Sequence, residues 1–219
     1  MEFLRNTLSM IPLLASGIPM VLNLTFYSLI LAVVVGLVLS LVRIAHIPFL
    51  NQAVVVIVEF LRGTPLLVQL VYIYYVFPNI GIHIDPIASG ILGLGLNYAA
   101  YVSEVFRSSI NSIDRGQMEA ALSLGYTPPR AMAKIIIPQS LRVSVPPLGN
   151  YVISMVKDTA LTSVIAVTEI LKQANVVATT TFQVTEAYTA AAIIYLAISL
   201  PLSGLVKLAE WRVNRNVAK

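Results

Sequence analysis

Long apolar stretches separated by short polar ones organise this chain. A helix that crosses a bilayer needs about 20 mostly apolar residues. Stretches of that kind fall at about residues 18–43, 53–77, 86–107, 143–170 and 187–208. The first and the last run almost without charge. The second contains Glu59 and Arg62, the third carries Glu104 and Arg107 near one end, and the fourth contains Lys157 and Asp158. Ahead of them, Leu4, Leu8 and Ile11 recur at the i, i+4, i+7 spacing of one helix face. That spacing predicts a short helix over residues 2–11, lying at the membrane surface and closed by Pro12. The expected fold class is an all-α membrane protein of five transmembrane helices with an N-terminal interfacial helix, the whole of residues 1–219 forming a single transmembrane domain.

Composition supports lipid as the solvent. Apolar residues make up 58% of the 219, charged residues only 11%, and the mean hydropathy is +0.85. An ordinary soluble domain carries about 25% charge. There are no cysteines, which excludes disulfides and thiolate metal sites. His46 and His83 stand far apart without ligand spacing, so no metal site is expected. The N-terminal MEFLRN lacks a basic n-region, and the uncharged run from Asn6 to Val42 is longer than a signal-peptide core, so the N-terminus is expected to be retained.

The placement of charge gives a direction. If the first span runs outward to inward, Arg43, Arg107, Arg115, Arg130, Lys134, Arg142, Lys207, Arg212, Arg215 and Lys219 fall on the inner side, while Arg5 and Lys172 fall outside. Lysine and arginine concentrate on the cytoplasmic side of short loops. The expectation is a multi-pass membrane protein with its N-terminus outside and its C-terminus in the cytoplasm. Residues 108–142 then form a cytoplasmic loop, and the outer loops near 78–85 and 171–186 are short.

That cytoplasmic loop reads as two short helices. Asp114 is an N-cap, with Gln117 three residues on as a capping-box partner. Glu119-Ala120-Ala121-Leu122 favours helix, and Gly125 suits a left-handed stop. Thr127-Pro128-Pro129 restarts a helix, and Pro138 ends or bends it. The result is a small knob with an alanine-rich face, suited to entering a groove on another protein.

The run Glu119-Ala120-Ala121-x3-Gly125-x9-Ile135-x-Ile137-Pro138 resembles the EAA loop of ABC-importer permeases, with Ile137 where leucine is usual. Arg62-Gly63-Thr64-Pro65-Leu66-Leu67-Val68-Gln69 resembles the corresponding segment of the polar amino-acid branch. So do Tyr98-x-x-Tyr101-x-x-Glu104-x-x-Arg107 and Val156-Lys157-Asp158-Thr159-x-Leu161-x-Ser163-Val164-Ile165, with Ala160 where serine is usual. The resemblance spans most of residues 18–210 and implies the five-helix core of the histidine, glutamine and arginine permeases. It implies that the loop is a coupling helix, with Glu119, Ala120, Ala121, Leu124, Gly125 and Arg130 docking into a cytoplasmic ATP-binding subunit. It also implies an extracytoplasmic amino-acid-binding protein and a second permease chain, identical or closely related. The sequence has no G-x-x-x-x-G-K-[ST] loop, so ATP and magnesium are expected on the partner ATPase, with no cofactor on this chain. Nothing suggests nucleic acid as a partner.

The charges within the spans are the candidate substrate site. A mid-bilayer charge is costly and usually faces a cavity or another charge. Thr64 and Pro65 could cap a new half-helix beside Arg62, whose free N–H groups would attract a substrate carboxylate. Pro146-Pro147 and Gly149 predict a break or bend in the fourth span. Lys157 and Asp158 offer both signs of charge, Thr159 and Ser163 sit four apart on one helical face, and Glu104 completes the candidates for a polar amino acid, with a leaning to a cationic one. The leaning to a cation rests on Asp158, where the family often has asparagine. The structural alternative is that Glu59–Arg62, Glu104–Arg107 and Lys157–Asp158 are pairs at helix junctions or a dimer interface. Tyr72, Tyr74 and Tyr75 read as an interfacial belt. Two rival functions remain open on residues alone. An ion-driven carrier also uses broken helices with midplane charges but has no use for a coupling loop. A membrane-embedded enzyme would need a nucleophile–base set or metal cluster, and neither appears.

Overall fold

The computed structural model describes residues 1–45 and 47–215, helices joined by short turns with no strand among them. His46 and Lys219 lie outside the described residues, as does the side chain of Arg215. The first helix, α1 (Glu2–Ala15), is longer than predicted. Pro12 does not close it but sits inside it, and Met10 and Leu14 are buried against helices far along the chain. A proline removes one donor but not the apolar face, and burial of that face carries the helix on to Ala15.

The next run folds as expected into one rod, α2 (Ile18–Ile44). Its buried face bears small residues at every fourth position: Ser28, Ala32, Gly36 and Ser40. In a bilayer the lipid is as apolar as a leucine, so helices associate by close packing of small residues. Gly36 shows the consequence, because a Cβ there would come within 2.9 Å of the Ala99 carbonyl oxygen.

The predicted second span is two helices. Helix α3 (Pro48–Gly63) and α4 (Leu66–Val71), which continues through a π-turn (Tyr72–Val76) and a 3₁₀ turn (Phe77–Ile80), are bent by 102° at Thr64-Pro65. Helix α5 (Pro86–Asn111) starts at Asp85, whose carboxylate accepts from the Ile87 and Ala88 amides at 3.0 Å each. It packs against α2 and α3 and is the most buried element, its interior positions including the polar Ser89, Asn97, Ser103 and Ser109.

The loop and the fourth span share one helical rod. After α6 (Arg115–Ser123), the chain runs helically from Pro128 to Ile165: α7 (Pro128–Ala131), a π-turn (Met132–Ile136), α8 (Ile137–Asp158) and a 3₁₀ turn (Thr159–Ile165). Pro138 therefore ends nothing; the wider π-turn immediately before it lets the rod continue past the missing N–H. Pro146 and Pro147 do not break the helix either. Gly149, expected at that break, instead lets α10 approach, because a Cβ there would collide with Val206. The predicted end of the span at 170 moves to Ile165, where the chain turns by 50° into α9 (Ile170–Thr181), a helix in place of the expected outer loop. Helix α10 (Val184–Arg215) extends the fifth predicted stretch at both ends.

By length and apolar character, α2 and α10 each qualify to cross a membrane, and the bent pairs on either side of residues 64–65 and 166–169 each qualify as one span. Helix α5 is long enough but too polar to qualify alone, as suits a helix that meets protein on most of its surface. At 26 residues it would extend about 39 Å.

Candidate functional site

The site begins at a proline. A regular helix would have the residue-65 N–H bond the Leu61 carbonyl, and Pro65 has none to give. The side-chain amides of Gln69 and Asn97 donate instead, at 2.8 and 3.0 Å. Gln69 Nε2 also meets Thr64 Oγ1 at 2.7 Å, and Asn97 Nδ2 meets Gln69 Oε1 at 3.3 Å. Thr64 is not the N-cap that its sequence context suggested. It is extended (φ −104°, ψ 140°), its hydroxyl donates to the Phe60 carbonyl at 2.8 Å, and Pro65 takes the N-cap position.

Beside this break lies a cavity of about 600 Å³. Arg62, Gly63, Thr64, Pro65 and Leu66 form one wall, Asn97, Tyr98 and Tyr101 of α5 a second, and Tyr151, Ser154, Lys157 and Asp158 of α8 the third. The three tyrosines pack ring to ring, with centroids 5.7–6.3 Å apart. Tyr98 donates from its hydroxyl to Asp158 Oδ2 at 2.7 Å, which leaves Oδ1 for another donor. Arg62 lies over the Tyr101 ring, 5.3 Å from its centroid, and 3.6 Å from the exposed carboxylate of Glu59. Lys157 is exposed on the cavity wall and is not in an ion pair with Asp158.

Four of the seven candidate substrate residues, Arg62, Thr64, Lys157 and Asp158, thus share one cavity. The other three lie elsewhere. Glu104 is held between Arg43 and Arg107, near the other end of α5. Thr159 is fully buried, with its hydroxyl on the Val156 carbonyl at 2.7 Å. Ser163 is also buried, and it does not share a face with Thr159. Residues 159–165 form a 3₁₀ turn, in which i and i+3 eclipse and i+4 points away. Tyr98 and Tyr101 were visible in the sequence only as parts of a motif. Asn97, Tyr151 and Ser154 were not singled out, and the nearest signal was their helical register with Tyr101 and Lys157. Tyr72 and Tyr75 are exposed, as an interfacial pair would be, although Tyr75 also donates to the Val164 carbonyl at 3.0 Å.

Residues 44–215 match the family described as binding-protein-dependent transport system inner membrane component. The chain belongs to this family. It is 39% identical to the L-cystine transport system permease protein TcyB of Bacillus subtilis, over 95% of this chain and 89% of that one. It is 35% identical to the glutamine transport system permease protein GlnP of Escherichia coli, over 93% and 94%. A crystal structure described as an amino acid ABC transporter with histidines superposes with a TM-score of 0.88 at 39% identity, over 94% of this chain and 97% of that one. The fold also matches inward-facing MetNI methionine ABC transporter chains, with a TM-score of 0.72 at 20% identity.

In this permease the predicted coupling residues occupy one projecting hairpin. Asp114 caps α6 through the Gly116 amide at 2.7 Å. Gln117 does not complete a capping box; its side chain accepts from Gln139 at 3.3 Å. The hairpin turns at Gly125, with φ +83°. The Gly125 amide bonds the Leu122 carbonyl and the Tyr126 amide the Ala121 carbonyl, which is a Schellman closure. Glu119, Ala120, Leu124, Gly125 and Arg130 are exposed, Leu124 to 78%. Ala121 is the exception: it is buried, as is Ala131, so it does not face outward.

Proposed function

We propose that the chain is the translocation subunit of an importer for polar amino acids, not itself an enzyme, driven by a separate cytoplasmic ATPase and supplied by an extracytoplasmic binding protein. Five spans, α2, α3–α4, α5, α8 and α10, would place the knob in the cytoplasm, with the N-terminus outside. A second permease chain would complete the pathway. The observation that carries the reading is the cavity with unmatched charges of both signs, Lys157 and Asp158, on the helical rod that also forms half of the knob.

The cavity suits a zwitterion. Lys157 is free to take the substrate carboxylate, with Arg62 nearby, and Asp158 Oδ1 is free to take the ammonium. Asp158 is the one carboxylate in the cavity lining, so a cationic side chain would rest on the tyrosine ring faces and not on a second carboxylate. The rod from Pro128 to Ile165 extends roughly 55 Å at ~1.5 Å per residue. A tilt imposed on Arg130 by a docked ATPase would be felt at Lys157 and Asp158 without an intervening loop.

The test is uptake and ATP hydrolysis in proteoliposomes holding this chain, its co-encoded ATPase and binding protein, with amino acids, the corresponding amines and the corresponding acids without an amino group. Stimulation by intact amino acids alone is the expected result. Equal transport of the amines would remove Lys157 from its role, and uptake without the ATPase would favour an ion-driven carrier. Asp158→Asn is expected to weaken arginine and glutamine uptake equally if Asp158 holds the α-ammonium. A loss confined to arginine would move it to the side chain.

A further inference from the structure

A second, smaller pocket lies at the knob-bearing end of the bundle, apart from the tyrosine-lined cavity. Its volume is about 200 Å³, and its lining is Arg43 and Ile44 of α2, Asn51 and Val55 of α3, and Arg107 and Asn111 of α5. Two arginines here share one carboxylate. Glu104 receives Arg43 through one oxygen, and Arg107 Nε and NH2 through the other at 3.1 and 2.7 Å. Glu59 and Arg62, the next charges along, pair with each other and leave the balance unchanged. The pocket is therefore one positive charge in excess, although the Arg43 side chain is only 15% exposed. A half-buried cation without a counter-ion is costly. Both arginines and both asparagines line this space, and their guanidinium N–H groups and side-chain amides supply its hydrogen-bond donors.

We propose that this pocket binds the phosphate of an anionic phospholipid headgroup. Paired arginines and amides match the oxygens of a phosphate diester. The apolar rim favours a lipid over a free ion: Ile47, Phe49 and Leu50, at the start of α3, are exposed, Phe49 to 93%. Acyl chains would cover these side chains while the headgroup neutralises the excess charge. The site is independent of the substrate reading, since none of its lining residues borders the larger cavity.

The experiment uses the full chain in phosphatidylcholine nanodiscs containing phosphatidylglycerol, followed by native mass spectrometry of the lipid retained after extraction into detergent. Preferential retention of phosphatidylglycerol is expected, falling about five-fold in Arg107→Gln, the value of one cation near a membrane surface. The pair Asn51→Leu and Asn111→Leu leaves the Arg43–Glu104–Arg107 cluster intact and is expected to lower retention likewise, which covers the case in which Arg107→Gln fails to fold. No preference for phosphatidylglycerol, or unchanged retention in the asparagine variant, overturns the proposal. Millimolar inorganic phosphate that raises the thermal stability in pure phosphatidylcholine as much as phosphatidylglycerol does would overturn the lipid assignment.

Discussion

The amide clamp at Pro65 makes a quantitative prediction. The Leu61 carbonyl has two replacement donors, Gln69 Nε2 and Asn97 Nδ2, so removing either leaves it bonded. Gln69→Met preserves shape and deletes the two short bonds to Leu61 and Thr64 Oγ1, a longer one to the Thr64 carbonyl and the weak one from Asn97, for a cost of about 1–2 kcal/mol at ~1 kcal/mol per short bond. Asn97→Leu deletes the bond to Leu61 and the weak one to Gln69, for about the same. The double variant leaves this part-buried carbonyl without either donor, which adds about 1–3 kcal/mol beyond the two bonds. The mutual 3.3 Å bond is lost in either single variant and is counted twice in their sum, so it subtracts a few tenths of a kcal/mol. The stranded carbonyl outweighs that correction, and the coupling energy should be destabilising by about 1 kcal/mol or more. Reversible unfolding of the four proteins in mixed micelles measures it. Additive or compensating effects would mean that the carbonyl is not shared between the two amides, and the account of the bend would fail.

Other substitutions test separate parts of the structure. A Cβ at Gly125 meets no atom of this chain within 4 Å, but Gly125→Trp must adopt φ +83°, at about 1–2 kcal/mol; membrane insertion should survive while recruitment of the ATPase fails, and normal transport would remove Gly125 from the docking surface. Gly149→Leu drives a side chain into Val206, and micelle unfolding should report a loss of about 1–3 kcal/mol as α8 and α10 separate. Glu169→Ala removes the carboxylate that accepts from the Leu171 and Lys172 amides at 2.7 Å and from the Tyr195 hydroxyl at 2.5 Å; limited proteolysis should open α9 before the rest of the chain.

What the sequence revealed, and what it did not, divides along physical lines. Apolar length sets the cost of leaving a segment in water, so α2 and α10 were legible without tertiary knowledge. The knob was legible because its signals are local: an acidic cap, a glycine with positive φ, a proline at a first turn. Pro12, Pro138, Pro146 and Pro147 misled because local chemistry permits a break without requiring one, and packing held the helices together. Helix α9 was hidden for the opposite reason. Its anchor is the buried Glu169 with Tyr195, 26 residues apart in sequence. Within the site, the charged residues announced themselves by their cost in lipid. The tyrosine walls did not, since tyrosine is at home in many membrane positions.

The misplacement of Glu104, Thr159 and Ser163 carries a further lesson about the charged pairs. Structure and binding are the two readings open to each of the three pairs, and burial and partners separate them. Glu104 has two arginines and no open oxygen directed at the large cavity, so its charge is spent on joining α2 to α5. Glu59–Arg62 sits in between: its carboxylate is 67% exposed, and the arginine divides its attention between that partner and the Tyr101 ring. Lys157 and Asp158 are neighbours that do not pair, and Asp158 turns to a tyrosine while Lys157 faces open space. Successive residues of a helix do not face each other, so these two opposite charges stay apart on one cavity wall. A molecule bearing both complementary charges can meet both at once, and this makes Lys157 and Asp158 the pair in this chain on which to look for a zwitterion first.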